Sequence, residues 1–351
     1  MRAIRKAAAW ILGSVLFIAG ILKLMDPVGT GLIVSEYYRF FGVTFLDFTA
    51  KTAGVALALF ETVLGSAVIT GVWRRTVSLV SLVVLCGFTL LTLALLIVNP
   101  SMDCGCFGEM IHLTHFQSFI KNIVLLVFWV LAYVPTRSLL PVPGIKYAGF
   151  GISALSAVLF CLYSLSRIPM LDFTPMAPGV ELLGADGVGS GDDAPVLSFY
   201  DRDGEYRDEL VQHGDVIVLS IYDMDGVSQR SASEMGRFSD AAEEVGYTVV
   251  RLSGGTPAAY DAVAERTGLP ADAFFADRKT LLTLNRSNGG ATFISDGQIV
   301  CKWPARHLPD GEKLVSVRNT GSTEAVIAEN SPQRTKLQAF LLYEFAVMLL
   351  L

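Results

Sequence analysis

Long apolar segments constrain this chain more than any other feature of its sequence. Four of them, at residues 7–25, 49–73, 77–98 and 119–134, precede residue 140, and a fifth covers residues 147–166. A helix needs about 20 mostly apolar residues to cross the ~30 Å hydrocarbon core of a bilayer. Charged residues make up only 17% of the 351 residues, which excludes an ordinary soluble globule of this length. The sequence therefore predicts a multi-pass α-helical membrane protein.

The second half of the chain has a different pattern. Short apolar runs alternate with helical periodicity from residue 196 onwards, and an Asp296-Gly297 turn signal joins two strand-like runs into a hairpin. This order predicts an α/β domain with a mixed sheet covered by helices, and it resembles a thioredoxin-like domain. That fold places its Cys-x-x-Cys after the strand at residues 216–221, where residues 222–228 contain no cysteine. We therefore do not expect this domain to be an independent oxidoreductase.

These patterns predict five consecutive regions. They are a four-helix membrane domain (1–140), a fifth transmembrane helix (141–168), a linker (169–195), the thioredoxin-like domain (196–330) and a C-terminal apolar helix (335–351). The last helix contains Glu344 and is slightly short for the bilayer. We predict a short sixth span there, and a helix packed on the soluble domain or lying in the interface is the alternative.

Basic residues predict the orientation of the spans. If the spans alternate, the basic residues of the N-terminus, of Arg74-Arg75, and of Arg137 and Lys146 share one side, which is then cytoplasmic. The loop after the third span and the α/β domain then share the opposite, extracytoplasmic side. In a bacterium this places the protein in the inner membrane with its soluble domain in the periplasm.

Two of the five cysteines lie in a polar loop between the third and fourth spans, Asp103-Cys104-Gly105-Cys106-Phe107-Gly108. Thiols one residue apart can bond only if the backbone folds sharply, and Gly105 and Gly108 supply that freedom because glycine accepts positive φ. We interpret Cys104 and Cys106 as a redox pair, since strained disulfides are the labile ones. A permanent structural disulfide is the alternative.

Two histidines follow the loop and raise a further alternative. Cys104, Cys106, His112 and His115 are four possible zinc ligands, but both of their spacings are tighter than those of usual zinc sites. A zinc site is therefore a weak alternative, and we predict no metal.

Lys23 and Glu61 are the ionisable residues expected within or at the edge of the membrane. Such residues usually face a partner or a cavity, so a Lys-Glu pair in a polar pocket is the functional interpretation. The alternative is that Lys23 extends to the interface from its helix end. Gly54, Gly65 and Gly71 are better explained by close helix packing than by a ligand.

The first 140 residues resemble a known group of membrane proteins. The motifs Lys23-Leu24-Met25-Asp26-Pro27, Phe60-Glu61-Thr62-Val63-Leu64-Gly65 and the cysteine loop are similar to those of the DoxX-like superfamily and of its methylamine-utilisation MauE branch. The resemblance implies a four-helix membrane bundle that supports disulfide formation or electron transfer while exported proteins mature. The combination with a thioredoxin-like domain that lacks the Cys-x-x-Cys motif resembles proteins of the Bacteroides group.

Together these observations predict a redox-associated membrane protein. Cys104 and Cys106 would exchange electrons at the periplasmic face, with Asp103, Gly105, Phe107 and Gly108 as supporting residues, and the soluble domain would recruit a periplasmic protein partner. A quinone held between helices is a candidate electron partner. The competing hypothesis is a non-catalytic scaffold with a structural loop disulfide. A mild net charge of −6 gives no support for nucleic-acid binding.

Overall fold

A computed structural model describes residues 2–134, 142–183 and 194–350. The chain forms two compact units, which we call the membrane unit (Met1–Leu165 with Leu337–Leu351) and the sheet unit (Ser166–Lys336). Arg137 and the glycine-rich segment 184–191, which the sequence analysis interpreted as a cytoplasmic marker and as linker, lie outside the described residues.

The membrane unit is built from long apolar helices. Its helices before the C-terminus are α1 (Arg2–Met25), α2 (Pro27–Phe40), α3 (Ala50–Thr70), α4 (Arg74–Val98), α5 (His115–Tyr133) and α6 (Gly144–Leu165), and the short extended segment β1 (Cys106–Glu109) follows α4. Among the described residues, five segments are long and apolar enough to cross a membrane: Ala3–Met25, Thr44–Thr70, Arg74–Val98, His115–Tyr133 and Gly144–Leu165. The prediction of a multi-pass membrane protein is thus supported by the fold.

Helices α1 and α3 approach each other closely through glycines. A Cβ atom added to Gly65 would lie 2.4 Å from the Phe17 backbone nitrogen and 2.7 Å from the Gly13 carbonyl oxygen. Two helix backbones can come this near only where no side-chain atom lies between them, as at Gly65. Gly65 therefore fixes the distance between the two helices that carry Lys23 and Glu61.

The residues at the C-terminus pack within the membrane unit. They end the long helix α11 (Ser322–Leu350), and Phe345 contacts Trp10 and Phe17 of α1, with ring centroids 6.3 and 5.6 Å apart. Phe340 stacks on Phe160 of α6 at 4.8 Å. This packing separates residues 337–350 from the sheet unit, and the crossing of the bilayer by residues 335–351 stays a prediction.

The sheet unit contains a five-stranded mixed sheet. Its strands are β2 (Asp215–Ile221), β3 (Thr248–Ser253), β4 (Phe274–Phe275), β5 (Gly290–Ser295) and β6 (Gln298–Trp303), in the spatial order β4-β3-β2-β5-β6. The β2, β3 and β4 strands are parallel, whereas β5 is antiparallel to both β2 and β6. Asp296 and Gly297, at φ +46° and +78°, form the predicted hairpin turn between β5 and β6.

Alternate residues of β2 enter two different cores, as the period of two along a strand requires. Ile217, Leu219 and Ile221 pack on one face with α7 (Gln229–Val245), α8 (Pro257–Thr267) and α10 (Gly311–Arg318). Val216 and Val218 pack on the other face with α9 (Arg278–Leu284) and residues from 176 to 199. The mixed sheet covered by helices is therefore confirmed.

Two local predictions in the sheet unit are wrong. Residues 196–200, the first of the apolar runs that the sequence analysis interpreted as strands and helices, form isolated pairings at Tyr200 instead of a strand. The Asp208 carboxylate accepts the Phe199 N–H at 2.8 Å and so replaces a strand neighbour. Part of the expected linker belongs to the fold: the Gly179 N–H donates to the Ile299 carbonyl at 2.7 Å and Leu182 is buried. This segment covers the outer edge of β6, which would otherwise be unpaired.

Candidate functional site

The cysteine loop turns sharply and brings its two thiols together. Gly105 and Gly108 adopt φ values of +62° and +63°, as the sequence predicts, and the Gly108 N–H donates to the Gly105 carbonyl at 3.2 Å. The Sγ atoms of Cys104 and Cys106 lie 2.8 Å apart as unbonded thiols. One sulfur can therefore reach the other without a change in the path of the loop.

The loop is held against the end of α1 and the face of α2. The Tyr37 hydroxyl donates to the Cys104 carbonyl oxygen at 2.6 Å, and burial raises the pKa of Tyr37, so this donor stays protonated. A Cβ atom at Gly105 would lie 2.4 Å from Cγ2 of Ile33. Glycine is thus required at this position both for its positive φ and for its contact with α2.

The two cysteines have opposite acidities. The hydrogen bond to Cys106 and burial raise the pKa of the Cys104 thiol well above its usual range. The same hydrogen bond and the positive charges of Lys121 and Lys23 lower the pKa of Cys106 to about 5, although burial opposes this effect. At neutral pH the pair therefore contains one thiolate, on Cys106, and one thiol, on Cys104. Because a thiolate is a better nucleophile than a thiol, Cys106 is the more reactive sulfur of the two.

Lys23 and Glu61 meet inside the membrane unit. The Lys23 Nζ atom donates to both carboxylate oxygens of Glu61, at 2.8 and 2.7 Å, and the Glu61 side chain is 1% exposed. Lys23 also lies 5.7 Å from the centre of the Phe88 ring. The structure thus brings together Lys23 and Glu61, the two ionisable residues selected from the sequence, and the depth of the pair in the bilayer stays a prediction.

The two histidines contact groups other than the thiols. The His112 Nδ1 atom lies 2.8 Å from the Asp103 carboxylate, and the His115 Nε2 atom lies 2.9 Å from the Met102 carbonyl oxygen. Within the described residues no group of three or more His, Cys, Asp or Glu side chains is arranged to hold a metal ion. In the zinc alternative the four side chains would meet at one ion. Instead, Cys104 and Cys106 contact each other, while His112 and His115 contact Asp103 and Met102.

Three residues of the site were missed by the sequence analysis. Lys121 lies 5.1 Å from the centre of the Phe107 ring and contributes to the low pKa of Cys106, while Asn122 and Tyr37 line the same cavity as the thiols. Lys121 and Asn122 are polar residues inside a predicted span, which is the signal that selected Lys23 and Glu61. Tyr37 carries no comparable signal in the sequence.

The sheet unit holds no thiol pair at the position where a thioredoxin-type site would be. Tyr222 and Asp223, directly after β2, donate their N–H groups to the Asn288 side-chain oxygen at 2.9 and 3.0 Å. Cys301 is 2% exposed within the core, and burial raises its pKa. Cys301 is therefore a packing residue of the sheet unit.

These features define a multi-pass membrane protein with a dithiol loop beside a buried ion pair. The model of the family described as "Methylamine utilisation protein MauE" matches residues 1–135. The match covers α1 to α5 and the cysteine loop, and ends before α6 and the sheet unit. The chain is thus similar to that family over its first five helices. No curated protein matches the chain.

The acidity of Cys106 gives a direct prediction. Alkylation of Cys106 by iodoacetamide should be independent of pH from 6 to 8 and fall about tenfold per pH unit only below about pH 5. The alkylation rate of an ordinary thiol, with a pKa near 8.5, would instead rise continuously from pH 6 to pH 8. Peptide mass spectrometry on the purified protein measures the rate at each pH.

Two lysine variants test the cause of this acidity. Lys121→Met should move the midpoint of the profile upwards by about 1 pH unit or more, because an opposite charge near a thiolate contributes a shift of that size. Lys51→Met, at an exposed position of α3, should leave the midpoint unchanged. A wild-type midpoint near 8.5 would contradict the assignment of Cys106 as the thiolate.

Proposed function

We propose that this protein transfers electrons through the Cys104/Cys106 pair at the extracytoplasmic face of a bacterial inner membrane and so supports the maturation of exported proteins. The observation that carries the proposal is the contact between a thiol and a stabilised thiolate, 2.8 Å apart in a loop built for a tight turn. Oxidation of this thiol–thiolate pair breaks the S–H bond of Cys104, forms one S–S bond and releases two electrons and one proton. Reduction is the reverse.

The similarity to the MauE family supports this proposal because the match includes the whole cysteine loop. The resemblance to DoxX-like proteins, inferred from the sequence, points to the same kind of membrane bundle. The distribution of basic residues predicts that the loop and the sheet unit lie outside the cytoplasm, where disulfides form and persist.

The sheet unit fits the role of a partner-binding module. Its mixed sheet and terminal hairpin are those expected of a thioredoxin-like domain, yet the loop after β2 contains no cysteine. In the proposed function it recruits or orients a periplasmic protein, while the chemistry takes place at Cys106.

A redox titration tests the proposal. Isolated membranes are equilibrated in glutathione buffers of graded potential, and the free thiols are then counted by mass-tagging. We expect two thiols per chain to titrate together and reversibly at a potential typical of oxidoreductases, above about −300 mV. Replacing Cys104 and Cys106 with serine should abolish the transition, whereas Cys86→Ser should leave it intact.

The competing scaffold hypothesis predicts a different titration. A structural disulfide would stay oxidised until strongly reducing conditions, below about −300 mV, and its loss in the double serine variant would lower the amount of protein in the membrane. Loss of the redox transition at normal abundance supports electron transfer. A pair that stays oxidised over the whole glutathione range refutes it.

A further inference from the structure

A cavity of about 120 Å³ lies between the helices of the membrane unit and reaches the two cysteines. Most of its wall is apolar, formed by residues such as Val15, Leu57, Phe88 and Leu125. A cavity of roughly 150 Å³ in another protein binds benzene, so this one is somewhat smaller than a site that encloses one aromatic ring. Leu57 marks an edge of the cavity, since 39% of its surface is exposed on α3.

Asn122 leaves an unused acceptor at this cavity. Its Nδ2 atom donates to the Phe88 carbonyl oxygen at 3.0 Å and to the Thr92 hydroxyl at 3.1 Å. Because a carbonyl can only accept, this contact fixes the orientation of the amide. The Oδ1 atom is buried and has no hydrogen-bond partner within the described residues. An unpaired buried acceptor destabilises the fold, and a ligand hydroxyl that donated to it would offset that cost.

The other polar groups of the cavity include the Glu61 carboxylate, which already accepts two hydrogen bonds from Lys23, and three hydroxyl groups, of Thr30, Tyr37 and Thr92. The ammonium groups of Lys23 and Lys121 lie in its wall, as do Cys104 and Cys106. The cavity thus combines an apolar wall, ammonium donors suited to a carbonyl oxygen, a free acceptor suited to a hydroxyl, and a dithiol. Few ligands match all four features in both of their redox states.

We propose that this cavity binds the ring of a lipid-soluble quinone, which oxidises the Cys104/Cys106 pair. This inference rests on the proposed function and names its electron acceptor. The quinone carbonyls accept hydrogen bonds from the ammonium groups, and a quinol hydroxyl donates to Asn122 Oδ1. In the reaction the S–H bond of Cys104 breaks and an S–S bond to the Cys106 thiolate forms, two electrons pass to the quinone, and the quinone oxygens take up one proton from Cys104 and a second from water. The isoprenoid tail extends past Leu57 into the bilayer.

A single-turnover experiment tests the inference with the purified full-length protein. The protein is reduced with dithiothreitol, desalted and mixed without oxygen with a short-chain ubiquinone, decylubiquinone. Quinone absorbance and free thiols are followed together. We expect one quinone to be reduced for every two thiols lost. Asn122→Leu should slow the reaction about tenfold, since it removes the acceptor for the quinol hydroxyl.

A second variant keeps the test valid if Asn122→Leu does not fold. Leu57→Trp enlarges a partly exposed side chain at the edge of the cavity and should slow quinone reduction at least tenfold. Its matched control, Leu90→Trp, enlarges a leucine that is 67% exposed on α4 and should react like the wild type. Neither change touches the thiols, so both variants should titrate normally in glutathione buffers.

The outcomes separate this inference from the proposed function. If the thiols titrate with glutathione but the reduced protein does not reduce decylubiquinone, the quinone site is refuted and the redox function stands. The quinone site is likewise refuted if Leu57→Trp and Leu90→Trp react equally fast with the quinone. If the thiols do not titrate at all, the proposed function fails and the quinone site fails with it.

Discussion

Replacing Glu61 with glutamine is expected to destabilise the membrane unit by about 3 kcal/mol or more, because removing one partner leaves the other charge of a buried ion pair uncompensated. Glu61 is 1% exposed and accepts both of its hydrogen bonds from Lys23. Lys23 in turn is 8% exposed, so water replaces the lost carboxylate poorly. The free energy of unfolding, from a sodium dodecyl sulfate titration of the purified protein, measures the effect.

A double variant separates the pair from its surroundings. Buried ion pairs replaced on both sides by apolar residues of similar volume are often as stable as the original. We therefore expect Lys23→Met combined with Glu61→Met to unfold close to the wild type, although each single change is costly. The double variant would then cost much less than the sum of the two single changes. Such non-additivity is the usual sign that two residues in direct contact share an interaction.

Lys51→Met is the matched control, because Lys51 is an exposed lysine on the helix that carries Glu61. It should change the free energy of unfolding by less than about 0.5 kcal/mol, as surface substitutions usually do. The ion pair would be refuted as a stabilising contact if Glu61→Gln unfolded like Lys51→Met. It would also be refuted if the two single effects simply added in the double variant.

Much of the membrane unit could be predicted because its helices are long and apolar, and this signal is the strongest that a sequence carries. The ends of the helices were predicted less accurately. Helix α5 begins at His115 rather than near residue 119, since Thr114 and Gln117 form a capping box at its start. That motif is readable from the sequence. Likewise, Asp26 caps α2 by accepting the Gly29 N–H at 2.9 Å.

The chemistry of the site was only partly predictable. The glycines around Cys104 and Cys106 indicated a tight turn, and the structure shows one. The acidity of Cys106, however, depends on Lys121, which comes from a helix after the loop. The cavity forms where side chains of five helices meet, so no local pattern could reveal it. Asn122 matters because Phe88 and Thr92 use its amide nitrogen and leave its oxygen free, a fact that belongs to tertiary packing alone.

Gly65→Ala is expected to destabilise the membrane unit by about 1–3 kcal/mol, which is the usual cost of overpacking a close contact. The new Cβ atom would lie 2.4 Å from the Phe17 nitrogen and 2.7 Å from the Gly13 oxygen. Both are backbone atoms of α1, so no side chain can rotate away and the two helices must separate. Because α1 carries Lys23 and α3 carries Glu61, the same variant should also weaken the ion pair and widen the cavity.

Gly87→Ala provides the control for the same chemical change. Gly87 lies inside α4, and a Cβ atom there would meet no heavy atom within 4 Å. Alanine favours a helix over glycine by about 1 kcal/mol, so this variant should be as stable as the wild type or more stable. Unfolding titrations should therefore give a lower free energy of unfolding than the wild type for Gly65→Ala, and an equal or higher one for Gly87→Ala. If Gly65→Ala unfolded like Gly87→Ala, the close approach of α1 and α3 would not set the geometry of the ion pair.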